Sequence, residues 1–197
     1  MNKIINKPML TLKISFTLFV ICLLQGCVGA TIVAVASGVG IATDERSFST
    51  QFDDQAIELS ASTKIAENEA LNSQTNIQVV SINGTILLVG QAPSSHLRDA
   101  AIKIAANVSG VVKVHNQIRI SNTLSFTSRS HDVWLTSKVK TALFGNSEFD
   151  ATNIKVISEN GEIFLMGIVT KTTAASAVEI ARNVSGVNKV FKAFEYM

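Results

Sequence analysis

Apolar positions along this chain alternate between two periods, and the alternation runs through the same cycle twice. Ile57, Ala61 and Ile65 fall four apart, as do Leu135, Val139 and Leu143. That spacing places each set on one face of a helix. Asp54 and Asp132 precede these stripes as candidate N-caps. Next come the apolar runs Ile77 to Ile82 and Thr85 to Val89, on either side of Asn83-Gly84. Their counterparts are Ile154 to Ser158 and Ile163 to Met166, on either side of Asn160-Gly161. Asn-Gly between apolar runs predicts a two-residue hairpin turn, because both residues must reach positive φ. A second helix follows, with Pro93 in its first turn and Leu97, Ala101, Ile104, Ala105 and Val108 as its buried stripe. Ser-Gly ends it, with Gly110 and Gly186 expected in the left-handed cap. A last strand is expected from Val111 to Ile120, and again from Val187 to Tyr196. The order is α-β-β-α-β, with a right-handed crossover into the last strand and two helices covering one sheet face.

The two cycles are copies. Asn76-Ile77-Gln78-Val79 returns as Asn153-Ile154-Lys155-Val156, 77 positions on. Asn107-Val108-Ser109-Gly110-Val111 returns as Asn183-Val184-Ser185-Gly186-Val187, 76 positions on. Leu88-Val89-Gly90 returns as Leu165-Met166-Gly167, and Asp54 as Asp132. The copies span residues 53–120 and 131–197, and the Ser/Thr-rich segment 121–130 reads as the linker. A domain of about 70 residues buries only about 60% of its unfolded surface, so the copies are expected to pack on each other.

Ahead of the repeat, Lys3, Lys7 and Lys13 precede an apolar run from Ile14 to Leu24, which ends in Leu24-Gln25-Gly26-Cys27. The layout is that of a secretory signal. The last four residues resemble a bacterial lipobox, which implies cleavage before Cys27 and acylation there, with palmitate among the chains. Residues 1–26 are then the signal peptide and 27–52 a lipidated tether. The competing reading is an uncleaved anchor continuing through Val28 to Ala42. Gly29, Gly38 and Gly40 make that segment a poor span. Val28 in place of Asp resembles lipoproteins sorted to the outer membrane, which puts the chain on its periplasmic face.

The signal carries three of the 17 Lys+Arg and none of the 15 Asp+Glu. The rest holds 14 bases against 15 acids, a net charge of −1 with His neutral. General nucleic-acid binding, which needs a basic surface, is disfavoured. Cys22 leaves with the signal and Cys27 is lipidated, so no disulfide is expected. Catalytic parts are missing. His96, His115 and His131 pair with no cysteine or recurring acid, and metal-ligand spacing is absent. Gly38-x-Gly40 lacks the third glycine of a dinucleotide loop. No enzyme activity, metal or cofactor is expected.

The Asn-Gly hairpin, the Leu-x-Gly or Leu-Met-Gly strand end, and the runs from Ala105 to Val114 and from Ala181 to Val190 resemble the BON domain. The resemblance implies an α+β fold of two tandem BON domains, each with two helices on one face of a small mixed three-stranded sheet. One departure is Lys192, which stands where copy one has the family's Asn116.

Positions shared by the copies serve the fold, and positions that differ are candidates for a separate task. On the first helix, Trp134, Lys138, Lys140 and Phe144 replace Ala56, Ser60, Ser62 and Ala66. Copy one carries Glu58, Glu67 and Glu69, whereas copy two has no acidic residue between Asp132 and Glu148. On a helical wheel, Phe144, Ser137, Thr141 and Trp134 fall on the side away from the stripe of Leu135, Val139 and Leu143. Lys140 falls at one border of that side and Lys138 at the other. The outward face therefore offers two aromatic rings and small hydroxyls between lysines, as an interfacial helix does on anionic lipid. The competing reading packs Trp134 against copy one.

Resemblance to outer-membrane lipoproteins with two BON domains favours lipid. It implies that this helix binds phosphatidylglycerol or cardiolipin, and that the protein gathers at the division septum and supports envelope integrity. An alternative is a protein-interaction module acting on the outer-membrane protein assembly machinery through exposed sheet edges.

Replacing Cys27 with Ala is expected to leave the body folded and release it from the outer membrane. Fractionation that finds this variant stably in that membrane would contradict the lipid anchor.

Overall fold

A computed structural model describes residues 48–197 apart from Glu148. Cys27, the signal and most of the tether lie outside the described residues. Both copies belong to one compact unit.

Copy one contains α1 (Phe48–Glu67), a short α2 (Glu69–Gln74), β1 (Asn76–Ile82), β2 (Thr85–Ala92), α3 (Ser95–Ala106) and β3 (Lys113–Ile120). Copy two contains α4 (Phe126–Phe144), β4 (Ile154–Glu159), β5 (Glu162–Val169), α5 (Lys171–Arg182) and β6 (Lys189–Tyr196). Each sheet is mixed, with β2 or β5 in the middle, antiparallel to the preceding strand and parallel to the last. The expected stripes are buried: Ile57, Ala61 and Ile65 in α1, and Leu135, Val139 and Leu143 in α4. They pack with the second helix of their own copy on one sheet face. In α3, Leu97, Ala101 and Ala105 are buried and Ile104 is half-buried against the same core.

Both hairpins close on two residues. Asn83 and Asn160 have φ of 52°, and Gly84 and Gly161 have φ of 71° and 73°. The strand-end glycines answer a different need. A Cβ on Gly90, whose φ is 137°, would run into the carbonyl oxygen of Asn76, and one on Gly167 would run into that of Asn153.

Several expected boundaries move, each for a local reason. Asp54 and Asp132 are not N-caps but buried residues inside their helices. Asp54 accepts hydrogen bonds from the Asn83 amide (2.8 Å), the Gly84 amide (3.0 Å) and the Ser81 hydroxyl (2.8 Å). Asp132 accepts from the Asn160 amide (2.8 Å) and the Gly161 amide (2.9 Å). The carboxylate caps the hairpin, whose turn amides have no ladder partner, and so pins helix to sheet. α4 starts earlier, within the expected linker, where the Ser125 hydroxyl accepts from the Ser128 amide at 3.2 Å. Pro93 precedes α3, and Ser94 is the cap, accepting from the Leu97 amide. Gly110 and Gly186 have the expected positive φ, 88° and 102°. They serve a separate turn, because α3 and α5 have already ended at Ala106 and Arg182. Val111 and Val187 donate to the carbonyls of Val108 and Val184 to close these turns.

The second face of each sheet meets the other copy. Val80, Ile82, Leu87 and Val89 pack against Ile157, Phe164 and Met166, and the Phe164 and Phe191 rings stack 4.9 Å apart. β2 is buried along its whole length because it is covered on both sides. Around this apolar centre the polar contacts follow the repeat. Glu195 of β6 accepts from the Thr85 hydroxyl at 2.6 Å, and Arg119, its counterpart on β3, pairs at 2.7 Å with Glu162, the counterpart of Thr85. Lys155 pairs with Glu58 at 2.5 Å and donates to the Ser81 carbonyl at 2.9 Å. Gln91 donates to Glu159.

Phe164→Ala empties the centre of this seam and is expected to cost about 3–5 kcal/mol. Because both sheets rest on that ring, denaturation should remain one transition at a lower midpoint. A second step left at the wild-type position would show that the copies stand independently.

Candidate functional site: the exposed face of α4

The fold turns α4 so that Asp132, Leu135, Val139 and Leu143 face inward, which leaves the side opposite them open. Trp134 is 53% exposed and Phe144 57%, and neither enters the seam between the copies. Packing of Trp134 against copy one is therefore not what the structure shows. Two further apolar residues on the same helix are open: Phe126 (77%) and Val133 (70%). By their spacing, Phe126 and Val133 fall on the side of the helix that Phe144 occupies, opposite Leu135. The strip runs the length of α4, about 27 Å from Phe126 to Phe144 at about 1.5 Å per residue. Sequence reasoning missed Phe126 because it assigned that segment to the linker. Extending the helical pattern back to Phe126 would have found it.

Phe144 lies on this strip and Trp134 at its edge, and the other expected site residues lie on its two flanks. On one flank, the Lys138 ammonium sits 4.3 Å from the centre of the Trp134 ring and donates to the Ser185 carbonyl at 2.8 Å. The centre of the His131 ring lies 5.7 Å from that of the indole. Lys138 thus fixes the indole as well as adding charge. On the other flank, Lys140 and Ser137 face a groove of about 730 Å³. Ser62, Gln78 and Val79 of copy one and Arg129, Thr136 and Glu159 of copy two also line it. The Ser137 and Thr141 hydroxyls donate to the carbonyls four residues back, at 3.1 and 2.9 Å. Their lone pairs then remain directed outward as acceptors. Arg129 is a second cation at the groove that sequence reasoning did not single out.

Glu159 lies at the bottom of this groove, largely buried. Burial raises its carboxyl pKa above the usual 4.5, and the Asp132 charge adds to the rise. The Gln91 hydrogen bond and the Arg129 charge oppose it. Among the described residues, no helix is long and apolar enough to cross a membrane, and no group of three or more His, Cys, Asp or Glu could hold a metal ion.

The BON domain family matches residues 53–122 and 131–196. The chain belongs to the BON-domain family. It is 40% identical over 185 residues to Outer membrane lipoprotein DolP of Haemophilus influenzae, covering 94% of this chain and 96% of that one. It is 41% identical to a 21 kDa hemolysin of Actinobacillus pleuropneumoniae over 78% of this chain and 79% of that one. It is 26% identical to Osmotically-inducible protein Y of Escherichia coli over 70% of each. Likeness to DolP along nearly the whole chain supports an outer-membrane lipoprotein carrying two BON domains. DolP is named as a lipoprotein and not as an enzyme.

A group whose folded pKa is raised adds stability below its unfolded pKa and loses it as pH climbs through the folded value. Ionised Glu159 is therefore a cost at neutral pH. Glu159→Gln should raise the thermal midpoint at pH 7, and the gain should shrink to nothing below about pH 4.5, where wild type is also protonated. An equal gain at pH 4 and pH 7 would show that the carboxylate's charge is not the cause.

Proposed function

We propose that this protein is a non-catalytic outer-membrane lipoprotein that holds anionic phospholipid against α4, the first helix of its second BON domain. The acyl chains on Cys27 fix it to the periplasmic face, and α4 then lies along the headgroups. The observation that carries this reading is the exposed strip of Phe126, Val133, Trp134 and Phe144, with Lys138 and Lys140 beside it. Apolar groups at headgroup depth contribute burial, and each adjacent cation contributes about 1 kcal/mol near an anionic surface. Copy one supplies the contrast. Its α1 shows one large exposed apolar residue among the described side chains, Leu59, and carries Glu58 and Glu67, with Glu69 just beyond it. Phosphatidylglycerol and cardiolipin supply the required negative charge. Enrichment at the division septum and support of envelope integrity follow if anionic lipid gathers there.

The decisive variant is Trp134→Glu, examined in the soluble body from Asp44 to Met197 by flotation with vesicles containing phosphatidylglycerol. The indole is half-exposed and lies off the core, so circular dichroism should be unchanged while flotation is lost. Lys140→Glu should weaken flotation most at low salt, since exposed charges are screened beyond about 8 Å at physiological ionic strength. Ala56→Glu, the matching change in copy one, should have little effect. Wild-type flotation by Trp134→Glu would defeat the lipid reading. It would favour protein partners at the exposed edge strands β3 and β6 instead.

A further inference from the structure

The exchange of Trp134 and Lys138 for Ala56 and Ser60 has a second consequence, on the copy-one side, which the lipid reading does not use. In copy two the notch between α4, the hairpin tip and the turn after α5 is filled from within. Lys138 reaches the Ser185 carbonyl, Trp134 lies under its ammonium, and His131 rests against Gly186. What remains open there is about 340 Å³, lined by Thr127, Ser128, His131, Asp132, Asn160, Gly161 and Asn188. In copy one the corresponding residues are Asp53, Ala56 and Ser60, and Val112 stands where Asn188 does. None of them can fill the notch, and a cleft of about 640 Å³ is left open.

Its lining has two parts. Ile57, Val108, Ala56 and Val112 supply apolar surface, and Val112 is 82% exposed. Asp53, exposed at the rim, supplies a carboxylate, while the Asp54 carboxylate in the lining is taken up by the hairpin; among the described residues no lysine, arginine or histidine lines the cleft. Copy two shows what chemistry the same backbone accepts: a ring over the helix and an ammonium on the turn carbonyl. In copy one that chemistry has to come from outside the chain.

We propose that this copy-one cleft docks a protein segment carrying an aromatic side chain next to a lysine or arginine. The ring covers Ile57, Val108 and Val112. The cation meets Asp53 and the Ser109 carbonyl, the counterpart of Ser185. The site lies on the first BON domain, so a partner can engage it while α4 is occupied by lipid.

The test uses the full-length chain in non-ionic detergent micelles, with methyl NMR signals from Ile57, Val108 and Val112. The probe is a synthetic peptide of residues 131–145 of this chain, which presents Trp134 and Lys138 one helical turn apart. Saturable shifts at those methyls are expected, and probes with Trp134→Ala or Lys138→Ala should bind roughly tenfold more weakly. The double variant Ala56→Trp, Ser60→Lys in the protein should fill the cleft as copy two does and lower probe affinity by a similar factor. Should that variant fold poorly, Asp53→Lys, at an exposed position, should lower affinity on its own. The proposal is overturned by absence of shifts at millimolar probe, by shifts confined to the groove beside Lys140, or by undiminished binding to both protein variants. It is also overturned if anionic vesicles, and not the probe, shift the Val112 methyls.

Discussion

A three-stranded sheet has two faces, and in each copy the two longer helices cover one. β2 and β5 carry apolar residues toward both sides, so the bare face of each sheet would expose a contiguous apolar surface to water. The structure resolves this by setting the two bare faces together, with Val80, Leu87 and Val89 against Phe164 and Met166. Fully burying an aliphatic or aromatic side chain contributes about 1.5–3 kcal/mol, so the seam adds stability that a domain of about 70 residues lacks alone. Much else follows from that choice. With the sheet faces occupied, α1 and α4 face outward, and the surface available to partners is helical apart from the strand edges. The ion pairs at the seam, Arg119 with Glu162 and Lys155 with Glu58, sit at its partly exposed rim and add register more than energy.

Within each copy, the link between helix and sheet is a carboxylate. Asp54 and Asp132 turn inward from their helices to bind the amides of the Asn-Gly turns. A two-residue turn of this kind leaves amides pointing away from the ladder, and buried amides must find an acceptor. One aspartate per copy fixes the angle at which helix meets hairpin. That in turn decides which residues of α4 are left outside. The duplication keeps this clamp and varies the face opposite it. Copy two places a ring and an ammonium over the turn after α5, and copy one leaves the corresponding notch open.

The sequence by itself determined the order of elements, the Asn-Gly turns, the buried stripes and the tandem α+β architecture. These rest on local rules: periodicity of four or two, positive φ at Asn-Gly, and repetition as a check. It also identified Trp134, Lys138, Lys140 and Phe144 as different from their counterparts, because the copies can be compared position by position. Tertiary structure decided what depends on contacts between distant residues. The role of Asp132 was invisible because its partners lie 28 and 29 positions away on a turn. Position at the start of an apolar stripe imitates a cap. The extension of α4 to Phe126 was hidden by serines and threonines, weak helix formers that a packed helix tolerates. Which way Lys138 points, and that the cleft filled in copy two stands open in copy one, were set only when the loop after the second helix came to lie beside the first. Spacing along a chain fixes which face a residue is on, and only packing fixes what that face meets.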